Sequence, residues 1–132
     1  MTVHLICGVP GAGKTWVAKQ LPEFTYVPHD DYPVNVYHKH LEQAAKDSLK
    51  PVLGEAPFRI SVLVHQLTSK GISVITYYID EPDDTVQARY ESRMNKPFPK
   101  QHQTNLQRYK SRDWHFRGTA EEILEILKKV NS

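Results

Sequence analysis

Gly8-Val9-Pro10-Gly11-Ala12-Gly13-Lys14-Thr15 obeys the pattern G-x-x-x-x-G-K-[ST], and the apolar run Val3, Leu5, Ile6, Cys7 leads straight into it. A strand entering such a loop and a helix leaving it is the context in which the pattern binds phosphate. The glycines let the backbone turn tightly and aim its N–H groups at phosphate oxygens, and the following helix adds its N-terminal partial positive charge. Gly8, Pro10, Gly11, Ala12 and Gly13 would cradle the phosphates of ATP. Lys14 would reach the β and γ phosphates, and Thr15 would give its hydroxyl to a bridging Mg2+. The alternative, a chance glycine-rich turn, leaves the apolar strand ahead of it unexplained.

The 132 residues are enough for one domain with a real core and too few for two, so a single domain over 1–132 is expected. The amino terminus lacks a basic-then-apolar signal and no apolar run approaches a membrane span, which predicts a cytoplasmic protein with no membrane partner. The lone Cys7 has no partner for a disulfide and reads as a small core residue. Basic and acidic residues nearly balance, 17 against 15, but they are unevenly spread. An acidic knot, Asp80, Glu81, Asp83 and Asp84, is followed by Arg89, Arg93, Lys96, Lys100, Arg108, Lys110, Arg112 and Arg117, which face only Glu91 and Asp113. Such a segment suits ATP, a polyanion, or both.

Along the chain, Lys14 to Leu21 reads as a helix stopped by Pro22, and Phe24 to Val27 as a short strand delivering His29-Asp30-Asp31-Tyr32 to the edge of the phosphate loop. A loose helical stripe runs from Val36 to Leu49, and Pro51-Val52-Leu53 is a weak third strand ending at Gly54-Glu55-Ala56-Pro57. Phe58 to Lys70 is a helix with Gly71 as its stop, and Ser73 to Ile79 is a β-branched and aromatic strand. A helix capped by Asp83 places Arg89 and Arg93 on one face, and Asn95 to Pro99 reads as a mobile loop. Lys100 to Lys110 is a helix, Trp114-His115-Phe116 a short strand, and Thr119-Ala120-Glu121-Glu122 a capping box opening a last helix through Val130. Alternation of this kind predicts an α/β, P-loop kinase fold: a parallel sheet of about five strands with helices on both faces.

The reaction class follows by elimination. Asn95-Lys96 continues into Pro97-Phe98 and not into a guanine-reading Asn-Lys-x-Asp, and a remodelling ATPase would need a longer core and a strong acidic pair after an apolar strand. A small kinase needs a carboxylate for the acceptor hydroxyl, a cation for the transferred phosphoryl group, and magnesium. Asp30 and Asp31 are the candidate carboxylates, and Arg89 and Arg93 the candidate lid cations. Paired aspartates in loops are commonly turn formers, and helix arginines four apart are commonly surface, so the loop beside them is what favours the functional reading. Tyr32, Trp114 and Phe116 are compatible with an open groove for a polymer, or with core. His38, His40, His102 and His115 form no spaced metal set and read as surface.

Gly8 to Trp16 followed by Ala18, then Asp30-Asp31-Tyr32, then Arg89 and Arg93 with a proline-bearing segment and Tyr109-Lys110-Ser111, resembles the kinase domain of phage polynucleotide 5′-hydroxyl kinase, nearly end to end. The resemblance implies Asp30 as general base, Lys14 and Thr15 on ATP and magnesium, Arg93 as the lid arginine and Arg89 in support. It implies a nucleic acid substrate and, for a phage-encoded chain, the host cytoplasm. Two departures stand out. The family's arginine after Asp-Asp-Tyr is replaced by Pro33-Val34-Asn35-Val36, and its aspartate after the third strand is Glu55, which would bind the acceptor with Asp30 and Asp31. Phage kinases similar in fold that phosphorylate a hydroxymethylpyrimidine within DNA would accommodate both departures. The rivals are a small-molecule or nucleoside kinase and a non-catalytic ATP-binding module on the same scaffold.

Overall fold

The computed structural model describes residues 1–130; Asn131 and Ser132, the last two residues of the domain expected over 1–132, lie outside the described residues. Chain order is β1 (Thr2–Cys7), α1 (Lys14–Lys19), β2 (Thr25–Val27), a 3-10 turn (His29–Asp31), α2 (Tyr37–Asp47), β3 (Val52–Ala56), α3 (Ile60–Thr68), β4 (Ser73–Ile79), α4 (Asp83–Met94), α5 (Lys100–Lys110), β5 (Phe116–Gly118) and α6 (Ala120–Val130). The strands form one sheet in the order β2-β3-β1-β4-β5, and every pairing is parallel.

β1 lies in the middle, so both of its faces must be apolar. Val3, Leu5 and Cys7 point into one core with Tyr37 and Leu41 of α2, Ile60, Leu63 and Leu67 of α3, and Leu106 and Tyr109 of α5. Ile6 points into the other, with Val17 and Ala18 of α1 and Ile123, Leu124 and Leu127 of α6. Cys7 is fully buried, as its place on β1 requires. His4 shares the second face, where its Nδ1 lies 2.7 Å from the Tyr77 hydroxyl, a buried polar pair satisfied internally.

Local expectations shift in several places, among them α3, which spans Ile60–Thr68 and not Phe58 to Lys70. α1 ends at Lys19, two residues short of Leu21. Gly54, Glu55 and Ala56 belong to β3 and are all buried, so β3 is longer than its short apolar run suggests. The residue ahead of α4 is Pro82, with no side-chain cap; Asp83 sits in the first turn and pairs with Lys110 at 2.8 Å. β5 begins at Phe116, because Trp114 is stacked on Tyr78 (4.9 Å, 8°) with its Nε1 donating to the Tyr109 carbonyl at 2.9 Å.

Asn95 to Pro99 is anchored, since Phe98 is buried in the first core and its N–H donates to Glu91 Oε2 at 3.2 Å. Phe116 stacks on Tyr77 (5.2 Å, 9°) and Tyr32 on His40 (3.9 Å). With Trp114 on Tyr78, all three aromatics thus pack on protein rings. His115 is also engaged: its Nδ1 takes the Thr76 backbone N–H at 3.0 Å.

Candidate active site

In a parallel sheet the loops leaving the carboxyl ends of neighbouring strands meet at one edge. Here β1, β2 and β3 deliver the phosphate loop, His29–Asp31 and Pro57–Phe58 to that edge, and α4 closes it from the side. They enclose a cleft of about 800 Å³ lined by Pro10, Gly11, Gly13, Lys14 and Thr15, by Asp30 and Glu55, and by Arg89 and Arg93. Nine of the expected site residues therefore share one cavity. Gly8, Ala12 and Asp31 are not among its lining residues; Gly8 and Ala12 shape the loop from beneath, and Asp31 is exposed outside it.

The loop's shape depends on two left-handed glycines, Gly11 (φ 96°) and Gly13 (φ 109°). A Cβ on Gly11 would also lie 2.7 Å from the Val86 carbonyl oxygen of α4. Gly11→Ala is therefore expected to destabilise the protein by about 2 kcal/mol or more, read as a lower denaturation midpoint. Among the described residues no acceptor takes the N–H groups of Gly11, Gly13, Lys14 or Thr15, whose first helical successor is the bond from Val17 N–H to the Gly13 carbonyl at 3.1 Å. All four residues line the cleft, where an anion would find these donors.

Lys14 folds back over the loop, its Nζ donating to the carbonyls of Gly8 (2.7 Å) and Val9 (3.0 Å). It is only 9 % exposed. Burial pulls its pKa down from 10.5 to about 8, against the opposing pull of Glu55. Triphosphate charge in the cleft would restore the higher value. Nucleotide binding near pH 8 is thus expected to take up about half a proton per site. Calorimetry in buffers of different ionisation heat reads this uptake; heats that do not depend on the buffer would contradict it.

Glu55 comes from β3 directly beside β1, where it pairs in register with Ile6. It is 4 % exposed, and its backbone N–H donates to the Tyr37 hydroxyl at 2.9 Å, which in turn donates to the Val27 carbonyl at 2.6 Å. Oε1 accepts the His29 N–H at 3.1 Å, while Oε2 is buried with no partner among the described residues. The Tyr26 phenol stands beside Glu55 and Thr15; burial first and the Glu55 charge second raise its pKa, so it stays a proton donor. No group of three metal-ligating side chains occurs among the described residues. The Thr15 hydroxyl and the Glu55 carboxylate, both oxygen donors beside the phosphate loop, suit magnesium, which keeps several waters and leans on substrate phosphates.

Asp30 faces the same cleft from the 3-10 turn, with its side chain 96 % exposed and 3.9 Å from His29 Nδ1. The His29 ring is fixed edge-on to Tyr37 (4.9 Å) and Phe58 (5.4 Å), and burial lowers its pKa. Arg89 Nη1 reaches the Ala12 carbonyl at 3.4 Å, tying α4 to the loop, and Arg93 lies one turn on, exposed at the rim. A second cavity of about 500 Å³, on the far side of Arg89, is lined by Gly13, Trp16, Glu81, Thr119, Ala120 and Glu121. Trp16, His29, Pro57, Phe58, Tyr90, Met94 and His102 complete the main cleft; none was among the expected site residues, and His102, which reads as surface from the sequence, is half-buried in the cleft wall. His29 and Phe58 carried a usable signal, since both sit just past strand ends at the loop edge; His102, on α5, carried none.

No family model and no curated protein matches this sequence. Solved structures do. A designed protein of P-loop NTPase fold superposes with a TM-score of 0.55 at 12% identity, covering 99% of this chain and 90% of that one. The fold is that of the P-loop NTPases. A gluconokinase from Sinorhizobium meliloti 1021 matches with a TM-score of 0.61 at 13% identity, over 98% of this chain and 93% of the other. A sugar kinase from Janibacter sp. HTCC2649 matches with a TM-score of 0.61 at 18% identity, over the same shares of the two chains. At these identities the likeness carries the P-loop architecture alone. No helix among the described residues is long and apolar enough to cross a membrane.

Proposed function

We propose that this chain is an ATP- and magnesium-dependent kinase that phosphorylates a hydroxyl on nucleic acid, either a polynucleotide 5′ end or the hydroxymethyl group of a modified pyrimidine in DNA. The observation that carries the kinase reading is the single cleft shared by the phosphate loop, two carboxylates and two arginines.

In this reading the loop N–H groups and Lys14 hold the β and γ phosphates, and the base extends into the cavity beside Trp16. Thr15 and Glu55 would hold magnesium, which would supply positive charge against the phosphates. The acceptor hydroxyl oxygen bonds to the γ phosphorus as the bond to the β–γ bridging oxygen breaks, Asp30 takes the hydroxyl proton, and Arg93 meets the charge on the transferred group. ADP and a phosphate monoester are the products.

A nucleic acid acceptor is supported by the surface after α4. Lys110 is engaged by Asp80 (3.4 Å) and Asp83 (2.8 Å), and Arg117 by Asp80 (2.8 Å). Arg93, Lys96, Lys100 and Arg108 are exposed with no ion pair among the described residues, leaving cations for a polyanion. A second reading, a small-molecule kinase, is favoured by the likeness in fold to a gluconokinase and a sugar kinase.

Labelled ATP offered with oligonucleotides, hydroxymethylated DNA, free nucleosides and gluconate separates the two. Label on polymer is expected, with acceptor affinity falling steeply as salt rises. Label confined to gluconate or free nucleosides removes the polymer reading, as does an acceptor affinity indifferent to salt.

A further inference from the structure

The acceptor end of the cleft has a wall that phosphate chemistry does not need. Phe58 is 37 % exposed and Met94 44 % exposed, and both line the same cavity as Asp30. Phe58 is held there at a conformational cost. The Pro57 carbonyl before it is fixed by the Tyr109 hydroxyl at 3.2 Å, and Arg59 after it adopts a left-handed φ of 55° without being glycine. Backbone strain of this kind persists where surrounding structure imposes it, and here the strained residue directly follows an aromatic ring that lines the opening. His102 of α5 lines the same cavity, edge-on to Tyr90 (5.4 Å) and Phe98 (5.5 Å), its Nδ1 buried without a partner among the described residues. Glu55 and His102, each with a buried side-chain atom that has no hydrogen-bond partner among the described residues, thus line one cavity, to which Phe58 and Met94 add an apolar stretch.

Resting on the kinase reading above, we infer that this end of the cleft is a ring-binding subsite: Phe58 and Met94 pack on the apolar face of a nucleobase-sized ring carried by the acceptor, and His102 bonds its polar edge. A polyol or sugar acid offers no flat apolar face to Phe58 and Met94 and would leave them in water. Nucleosides and nucleic acid ends share the required chemistry, and the acceptors tested distinguish them.

The experiment measures transfer from ATP to a free nucleoside, to an oligonucleotide with an intact terminal nucleotide, and to the same oligonucleotide with an abasic end bearing the same hydroxyl. The base-bearing acceptors are expected to have KM values lower by on the order of tenfold than the abasic one. Phe58→Ala and His102→Ala should each erase most of that difference while leaving KM for ATP unchanged, and Phe58→Trp should restore it. Equal KM values for base-bearing and abasic acceptors overturn the inference, as does a Phe58→Ala loss that falls equally on both. Should no acceptor be phosphorylated, the kinase reading fails. The same acceptors titrated against protein loaded with a non-hydrolysable ATP analogue, followed by Trp fluorescence, then decide the subsite: base-dependent binding lost in Phe58→Ala upholds it, and binding blind to the base overturns it.

Discussion

Lys14→Met is expected to lower phosphoryl transfer by about two to three orders of magnitude, the scale for removing one preorganised charge donor from a transferring group, and to weaken nucleotide binding in parallel. The same change should leave the folded protein no less stable at neutral pH. Lys14 is buried, and its pKa lies at about 8 against 10.5 for a free lysine. A lysine whose folded pKa is depressed opposes folding below that value, and the opposition fades as pH rises from about 8 toward 10.5. The full displacement corresponds to roughly 3 kcal/mol. The bonds to the Gly8 and Val9 carbonyls offset part of the desolvation already contained in that shift. Activity and stability should therefore move in opposite directions, which a merely structural lysine would not produce. Radiolabel transfer and urea denaturation of the same variant check both halves.

Asp30→Asn is expected to fold and bind ATP normally while losing transfer by about two orders of magnitude or more, the usual scale for a positioned base. Its 96 % exposed side chain makes no contact on which the fold depends. A non-catalytic nucleotide-binding module would instead keep its biological effect in Asp30→Asn and lose it in Lys14→Met. Glu55→Gln supplies the contrast. Glu55 is buried with one oxygen on the His29 N–H and the other unpaired, so its loss should disturb both the site and the β2 and β3 ends that frame it. Kinetics of the two variants at varied magnesium separate them: Asp30→Asn should leave the magnesium dependence intact, and Glu55→Gln should shift it.

The loop, the alternation of strands and helices, and the placement of Asp30 could be read from residues close in sequence, because each rests on local backbone chemistry. Glu55 was legible only as a residue near the acceptor. Its burial within β3 is made tolerable by the Tyr37 hydroxyl, the His29 N–H and the nearby Lys14 charge, partners that come from three other parts of the chain. Phe98 reads as loop because two prolines flank it, yet its ring packs against Tyr90 at 5.3 Å across the turn. Trp114 has the composition of a strand residue but stacks on Tyr78, leaving the ladder to begin two residues later. The basic segment is similarly diluted by distance: Lys110 and Arg117 meet the acidic residues after β4, a pairing set by the fold and invisible to a count along the chain.

A crystal of the protein with magnesium, a non-hydrolysable ATP analogue and a short hydroxyl-bearing oligonucleotide tests the arrangement most directly, through the position of the Asp30 carboxylate. Within hydrogen-bond reach of an acceptor hydroxyl aligned with the γ phosphorus, and with Lys14 moved from the Gly8 and Val9 carbonyls onto the phosphates, it bears out the proposed transfer. A triphosphate bound away from the Gly8–Thr15 loop, or an Asp30 carboxylate left in solvent with no acceptor hydroxyl near it, contradicts that transfer.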